Sequence, residues 1–213
     1  MINGNKEKIS SPYCKKAYLS PGRLLAFVEQ YMFVDEGDTV LEIGIGSGLF
    51  KQFVSTIAEY HSIDIDLNLK PDYVLNIANT KEISILPKIY NKIFCCQVLE
   101  HIPFEHAMTA LKNIFSLNAD IVCMSLPDNR NCFAFCVAML RMSFKKIISI
   151  PFSGHKVDYN SHGQHYWELY SGNIQTIEKK MVHIGLQSNY YLFKQYRLFE
   201  RSYQHFYIFK KKK

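Results

Sequence analysis

The stretch Glu42-Ile43-Gly44-Ile45-Gly46-Ser47-Gly48 carries the strongest chemical signal in the chain. Glycines between a strand end and a helix start let a ligand lie against bare backbone, and the helix start offers it unpaired N–H groups. Glycines also serve tight packing, so the neighbours decide the reading. A dinucleotide fingerprint built on Gly44 and Gly46 requires Gly or Ala at position 49, where this chain has Leu49. Glu42, two residues ahead of the first glycine, would repel a pyrophosphate and attract an ammonium group. The loop therefore suits a zwitterionic or cationic ligand better than NAD. Asp64, about 20 residues beyond the turn, is placed to accept both hydroxyls of a ribose, with Asp66 reading as a turn cap.

These residues need elements to hold them. Ser20-Pro21 reads as an N-cap and first helical residue opening a helix through Met32, with Leu24, Leu25 and Val28 as its apolar face. Strands are predicted at 38–44, 60–66, 73–77, 92–96 and 121–126, with helices at 49–58 and 104–117 between them. Alternating strands and helices imply parallel strands joined by right-handed crossovers. The pattern then changes. Asn131–Ile150 reads as an apolar and basic helix, Ser153–Tyr170 as a polar, His-rich loop, and Ser171–His183 as a helix stopped by Gly185. Two aromatic runs, 186–193 and 203–209, have no helix between them and must pair antiparallel.

With these motifs in place, the chain resembles the class I S-adenosylmethionine-dependent methyltransferases over residues 20–130. VLEIGIGSG is similar to that family's glycine motif, SIDID to its ribose-binding acid and CQVLEHIP to its strand-four signature. The resemblance implies a Rossmann-like α/β three-layer sandwich, with a mostly parallel seven-stranded sheet and an antiparallel C-terminal hairpin. It implies S-adenosyl-L-methionine as cofactor, with Gly44, Ile45 and Gly46 along the methionine part and Glu42 supporting the amino group. Asp64 would hold the ribose with Ile65 beside it, and Cys96 and Gln97 would offer backbone contacts. Where the family often has an Asp against the adenine, this chain has Asn76, whose side-chain carbonyl can accept the same hydrogen bond without a charge.

Methyl transfer from a sulfonium is an in-line displacement, and a general base is needed only when the acceptor loses a proton. Beyond the fifth strand the candidates are Asp128, His155, His162, His165 and Tyr166. In Gly163-Gln164-His165-Tyr166-Trp167-Glu168, the chain's single Trp is expected to pack on the body, leaving His165 and Tyr166 on the acceptor as catalytic residues. His101 reads as structural, capping the next helix. His155, His162 and His165 lack an acidic or Cys ligand at supporting spacing, so no metal is expected. The segment 131–150, with Arg141, Lys145 and Lys146 and no acid, reads as an amphipathic lid or an interfacial helix for a lipid-linked or anionic substrate.

The 213 residues read as one domain: 20–130 for the cofactor, 131–170 a substrate-side insertion, 171–213 a terminal helix and hairpin. The net charge of +6 lies wholly in the last twenty residues, where seven Lys/Arg face one acid, Glu200. A neutral body with a basic end, its Lys210–Lys213 read as a solvated tail, disfavours a nucleic-acid surface. The six cysteines, Cys14, Cys95, Cys96, Cys123, Cys132 and Cys136, form no CxxC knuckle. They read as small core residues in a reducing, cytoplasmic setting. The longest uncharged apolar run, Cys132–Leu140, is far short of the roughly 20 residues a membrane helix needs. The expected function is methyl transfer to a small-molecule or glycan/lipid-linked acceptor, with peripheral membrane contact open. An RNA- or protein-directed enzyme, or a non-catalytic cofactor-binding protein, is the alternative.

Overall fold

The computed structural model describes residues 20–139, 142–157 and 164–212; Cys14, Arg141, His162, Gly163 and Lys213 lie outside the described residues. In chain order the strands are β1 (Thr39–Ile43), β2 (Glu59–Asp64), β3 (Tyr73–Val74), β4 (Lys92–Cys96), β5 (Ile121–Pro127), β6 (Cys132–Met139), β7 (Met142–Ser149), β8 (Tyr190–Leu198) and β9 (Arg201–Lys211). Seven form one sheet, ordered β3-β2-β1-β4-β5-β9-β8, with β6 and β7 a separate ribbon. The first five are parallel, and β9 runs antiparallel to both of its neighbours.

Strands buried on both faces need a layer on each. Helices α1 (Pro21–Tyr31) and α2 (Leu49–Val54) cover Val40, Phe94, Cys123 and Phe206. On the opposite face α3 (Thr80–Ile83), α4 (Phe104–Ser116) and α5 (Ile174–Gln187) cover Leu41, Ile93, Val122 and Phe209. The α/β three-layer sandwich with its antiparallel C-terminal pair is the architecture expected from the sequence. No helix among the described residues is long and apolar enough to cross a membrane.

Several local expectations are overturned. In α1 the buried residues are Ala26 and Gln30, while Leu24, Leu25 and Val28 stay exposed. Phe27 and Tyr31 pack beside Ala26, so a stripe two positions on, nearly opposite the expected one on the helix, meets the sheet. In the span 131–150, expected to be a helix, Cys132–Met139 and Met142–Ser149 instead pair as the antiparallel strands β6 and β7. The signal is a period of two: Phe133, Phe135, Val137 and Met139 alternate with Ala134, Cys136 and Ala138. Cys136 is accordingly exposed, whereas Cys95 and Cys123 are buried. Gly185 does not stop α5 but lies inside it, where a Cβ would sit 3.2 Å from Phe209, so its smallness lets the helix approach the sheet. Lys210 and Lys211 belong to β9 rather than to a tail; Lys210 stands opposite Ile121 on one side and Tyr191 on the other.

Where β5 ends, four segments meet. Asp128 is buried and donates its N–H to the Tyr203 carbonyl of β9 at 2.7 Å. Beside it, Leu169 donates to the Pro127 carbonyl and accepts from the Asn129 N–H, both at 2.9 Å. The Asp128 carboxylate takes Arg130 Nη2 at 2.6 Å and His205 Nδ1 at 3.1 Å, with Arg197 Nε at 3.6 Å. Burial raises its pKa, but Arg130, His205 and Arg197 more than offset this and hold it well below the usual carboxylate range. Arg197 also bonds Ser149 of β7 and the Arg130 carbonyl, tying the hairpin's base to the sheet.

Removing a buried charge from its partners leaves the others uncompensated. Asp128→Asn is expected to lose about 3 kcal/mol of stability at pH 7, read from urea denaturation. Because the folded-state pKa is depressed, that stabilisation is present above the ordinary value of 3.8 and is lost as pH falls below it. The gap between variant and parent should therefore narrow in acid.

Candidate active site

The register of the central strands brings the sequence motifs together. Ile43 of β1 stands opposite Ile63 of β2 on one side and Cys95 of β4 on the other. Gly44, Asp64 and Cys96 therefore leave their strands level with one another. Here the strand order reverses direction, since β1 is followed on one side by β2 and on the other by β4; such a switch point opens a crevice beyond the strand ends. A cavity of about 800 Å³ occupies it, within the range of about 300–1,000 Å³ usual for small-ligand sites.

Gly44 has φ +82°, and a Cβ there would lie 2.4 Å from Val98, so only glycine lets β1 turn beneath the strand-four loop. Asp64 is held over the glycine turn, accepting the Ile45 N–H at 3.1 Å and the Asp66 N–H at 3.0 Å. Asp66 caps the next turn by accepting from Asn68, as expected. Glu42 is buried and takes a hydrogen bond from the Tyr60 hydroxyl. Burial pushes its pKa up to about 8, against the Tyr60 bond, and nearby Asp64 adds to the rise. A carboxyl in that state ionises readily when a cation arrives beside it.

Each residue assigned above to ligand or acceptor lines the cavity: Glu42, Gly44, Ile45, Gly46, Asp64, Ile65, Asn76, Cys96, Gln97, His165 and Tyr166. Asn76 already accepts the Ala78 N–H at 2.9 Å through its side-chain oxygen, and the Gln97 N–H is bonded to the Ser125 carbonyl at 2.9 Å. Gln97 has φ +57°, and its side-chain nitrogen is buried without a hydrogen-bond partner among the described residues. Asp128 and His155 do not line the cavity. As a base Asp128 is corrected by its ion pairs, which hold it ionised at the sheet junction. His155 instead bonds Asn129 through its backbone.

The other end of the cavity is assembled by long-range docking. Residues 164–168 lie along the turn 99–102: Tyr166 N–H donates to the Glu100 carbonyl at 2.8 Å, and Trp167 Nε1 to the Ile102 carbonyl at 3.0 Å. His101 Nδ1–H donates to the Gln164 carbonyl at 2.8 Å. Trp167 is buried edge-on against Phe104, the packing role expected of it. His165 Nδ1–H donates to Glu168 Oε1 at 2.6 Å, which leaves Nε2 as the nitrogen with a lone pair. Burial raises Glu168, but bonds from His165, Tyr203 and Asn129 outweigh it and keep the pKa low, so Glu168 is an ionised partner. His101 lies edge-on to His165 with ring centres 4.8 Å apart, and burial lowers its pKa.

Sequence reasoning passed over Glu100. It is fully buried at the cavity wall, and burial pushes its pKa up to about 8. The available signal was a carboxylate inside an otherwise apolar Val98-Leu99-Glu100-His101-Ile102 turn, next to a strand end in a ligand crevice.

No protein-family model and no curated protein sequence matches the chain. Solved structures do. The N-methyltransferase NodS from Bradyrhizobium japonicum WM9, in complex with S-adenosyl-L-homocysteine, is similar at TM-score 0.59 and 10% identity, over 94% of this chain and 95% of that one. A Mesorhizobium loti S-adenosylmethionine-dependent methyltransferase gives 0.56 and 10%, over 89% and 98%. Synechocystis PCC 6803 magnesium protoporphyrin IX methyltransferase with bound SAM gives 0.52 and 14%, over 89% and 76%. The chain has the fold of class I S-adenosylmethionine-dependent methyltransferases.

The glycine turn supplies its own test. Gly44→Ala is expected to cost about 1–3 kcal/mol of stability, since it adds a positive-φ side chain and a clash. Gly46→Ala, at φ +51° with nothing within 4 Å of its Cβ, should cost about 1 kcal/mol. Urea denaturation of both variants checks the order.

Proposed function

We propose that the chain is an S-adenosylmethionine-dependent methyltransferase. The observation that carries this reading is the level ending of β1, β2 and β4, which sets Glu42, the bare backbone at Gly44 and Asp64 around one cavity. The residues fit the cofactor's chemistry. Glu42 offers a buried carboxylate to the amino group, and Asp64 keeps acceptor lone pairs for ribose hydroxyls beyond the two it gives to backbone N–H groups. Ile65 and Asn76 would flank the adenine, with Cys96 and Gln97 opposite. When bound, the cofactor supplies an activated methyl group and its own leaving group. The chain's task is then to orient the acceptor, exclude water and, for a hydroxyl acceptor, take a proton. His165 Nε2 fits that last role, with Glu168 stabilising the imidazolium and Tyr166 beside it at the cavity.

Isothermal calorimetry with S-adenosylmethionine and NADH tests the reading; tight NADH binding without S-adenosylmethionine binding would overturn it. Below pH 8 the ammonium group must ionise Glu42, so binding should release a proton and tighten as pH rises from 6 to 7.5. Glu42→Gln should abolish the release, read from heats in buffers of different ionisation enthalpy. Asp64→Ala should weaken binding about 10- to 100-fold through lost charge-assisted hydrogen bonds. Tritiated-methyl transfer into fractionated extract would then identify the acceptor class.

Within that reading a small-molecule acceptor, glycan or lipid-linked, suits the site, and one feature favours a lipid surface. Direct partners across an antiparallel pair share a face, so Phe133, Phe135, Val137 and Met139 of β6 stand with Met142, Phe144, Lys146 and Ile148 of β7. The seven apolar members are all exposed, and the face carries no acid. Its opposite face turns to the body through Lys145, which pairs with Glu200. Anionic vesicles should sediment the protein, and Phe133→Ser with Phe144→Ser should release it; sedimentation independent of lipid would remove this version.

A further inference from the structure

We propose that Glu100, His101 and His165 bind a divalent transition-metal ion at the acceptor end of the cavity. One ligating atom from each lies within 4.8 Å of the other two. Bonds of about 2.1 Å in a tetrahedral site need ligand atoms about 3.4 Å apart, a gap that side-chain rotation closes. Proximity alone would be a weak ground, because buried carboxyls and stacked histidines also occur without ions. Two further observations point to a ligand.

Glu100 is the first. Its side chain is fully buried, lines the cavity, and among the described residues neither carboxylate oxygen meets a hydrogen-bond donor of another residue. Its own backbone N–H and the charge of Arg201 offset the lost solvation only in part, and a cation in the cavity would supply the rest. The second is the state of the two imidazoles. His101 gives its Nδ1–H to the Gln164 carbonyl and His165 gives its own to Glu168, so both tautomers present Nε2 as the lone-pair nitrogen. Ligating histidines are oriented in this manner, by a carbonyl or carboxylate behind the ring. Glu168 is itself fixed by the Tyr203 hydroxyl and Asn129 Nδ2. The His165 ring is thus held from two residues away.

Two imidazoles and one carboxylate favour zinc or ferrous iron over magnesium, which takes oxygen ligands and keeps its water. Three protein ligands leave a coordination position open to the cavity, as in catalytic rather than structural sites. What the ion would do there rests on the methyl-transfer reading: it would bind an acceptor hydroxyl and lower its pKa so that its proton passes to solvent water, and it would hold the oxygen for attack on the methyl group as the methyl–sulfur bond breaks and S-adenosylhomocysteine leaves. The His165 Nε2 lone pair would then be spent on the ion, so its role as base and its role as ligand are alternatives.

The test uses the full chain, stripped with chelator and dialysed, titrated calorimetrically with Zn²⁺, and with Mg²⁺ for comparison. One saturable Zn²⁺ site per chain is expected, with Mg²⁺ at least 10-fold weaker. Glu100→Gln and His165→Ala should each weaken Zn²⁺ at least 10-fold while S-adenosylmethionine binding persists, showing the variants folded. Cobalt(II) should give visible absorption bands that both variants lose. Absence of a one-to-one site, Zn²⁺ affinity retained in both variants, or Mg²⁺ affinity equal to Zn²⁺ would each overturn the proposal. Cofactor binding with no Zn²⁺ site would refute the metal and leave the methyltransferase reading standing; a Zn²⁺ site without cofactor binding would do the reverse.

Discussion

A carboxylate with no water around it must be met by cations or hydrogen-bond donors, and Asp128 imposes that requirement at the end of β5. Arg130 from the next turn, Arg197 from β8 and His205 from β9 converge on it. The chain can therefore leave the sheet only in the direction those partners allow. The base of the β6–β7 hairpin is tied down through Arg197. Leu169, bridged to Asp128, brings residues 164–168 back to the cavity, and Glu168 arrives next to it to orient His165. The acceptor side of the site thus hangs on a charge that itself takes no part in it.

The two halves of the cavity are built by different physics. The half assigned to the cofactor comes from register: three neighbouring parallel strands end level, and each carries its motif residue at or just beyond its last position. Little adjustment is possible there, because Gly44 already lies against Val98. The acceptor half comes from a segment some sixty residues away in sequence, laid along the turn 99–102 by three hydrogen bonds. Its chemistry can be retuned without disturbing the sheet.

The legibility of the sequence follows the same division. Motifs tied to strand ends were readable because a parallel strand buried on both faces leaves a continuous apolar run, and a glycine turn is unmistakable after it. The strands at 132–139 and 142–149 were hard to read because β6 is apolar on both faces: large and small side chains alternate there, and only β7, with Ser143, Lys145 and Ser149, carries a polar face. Gly185 was misread for a different reason. A glycine that ends a helix and a glycine that lets a helix touch a Phe ring look alike until the ring is placed. In α1, two nearly opposite stripes both carry apolar residues, and only the sheet chose between them.

By itself the sequence determined the alternating α/β order, the antiparallel close, the glycine turn and the acid that follows it, because each is written in local spacing and chirality. It also singled out His165 and Tyr166, which line the cavity, since a dense polar-aromatic run stands out from its surroundings. Only the tertiary structure decided that Asp128 is structural, that His101 meets His165, and that Glu100 is buried against the cavity. The long-range pairs among them, His101–His165 and Asp128–His205, lie 64 and 77 positions apart and meet through solvent exclusion. The fate of a charge depends on who else is shut in with it, and a linear pattern does not carry that information.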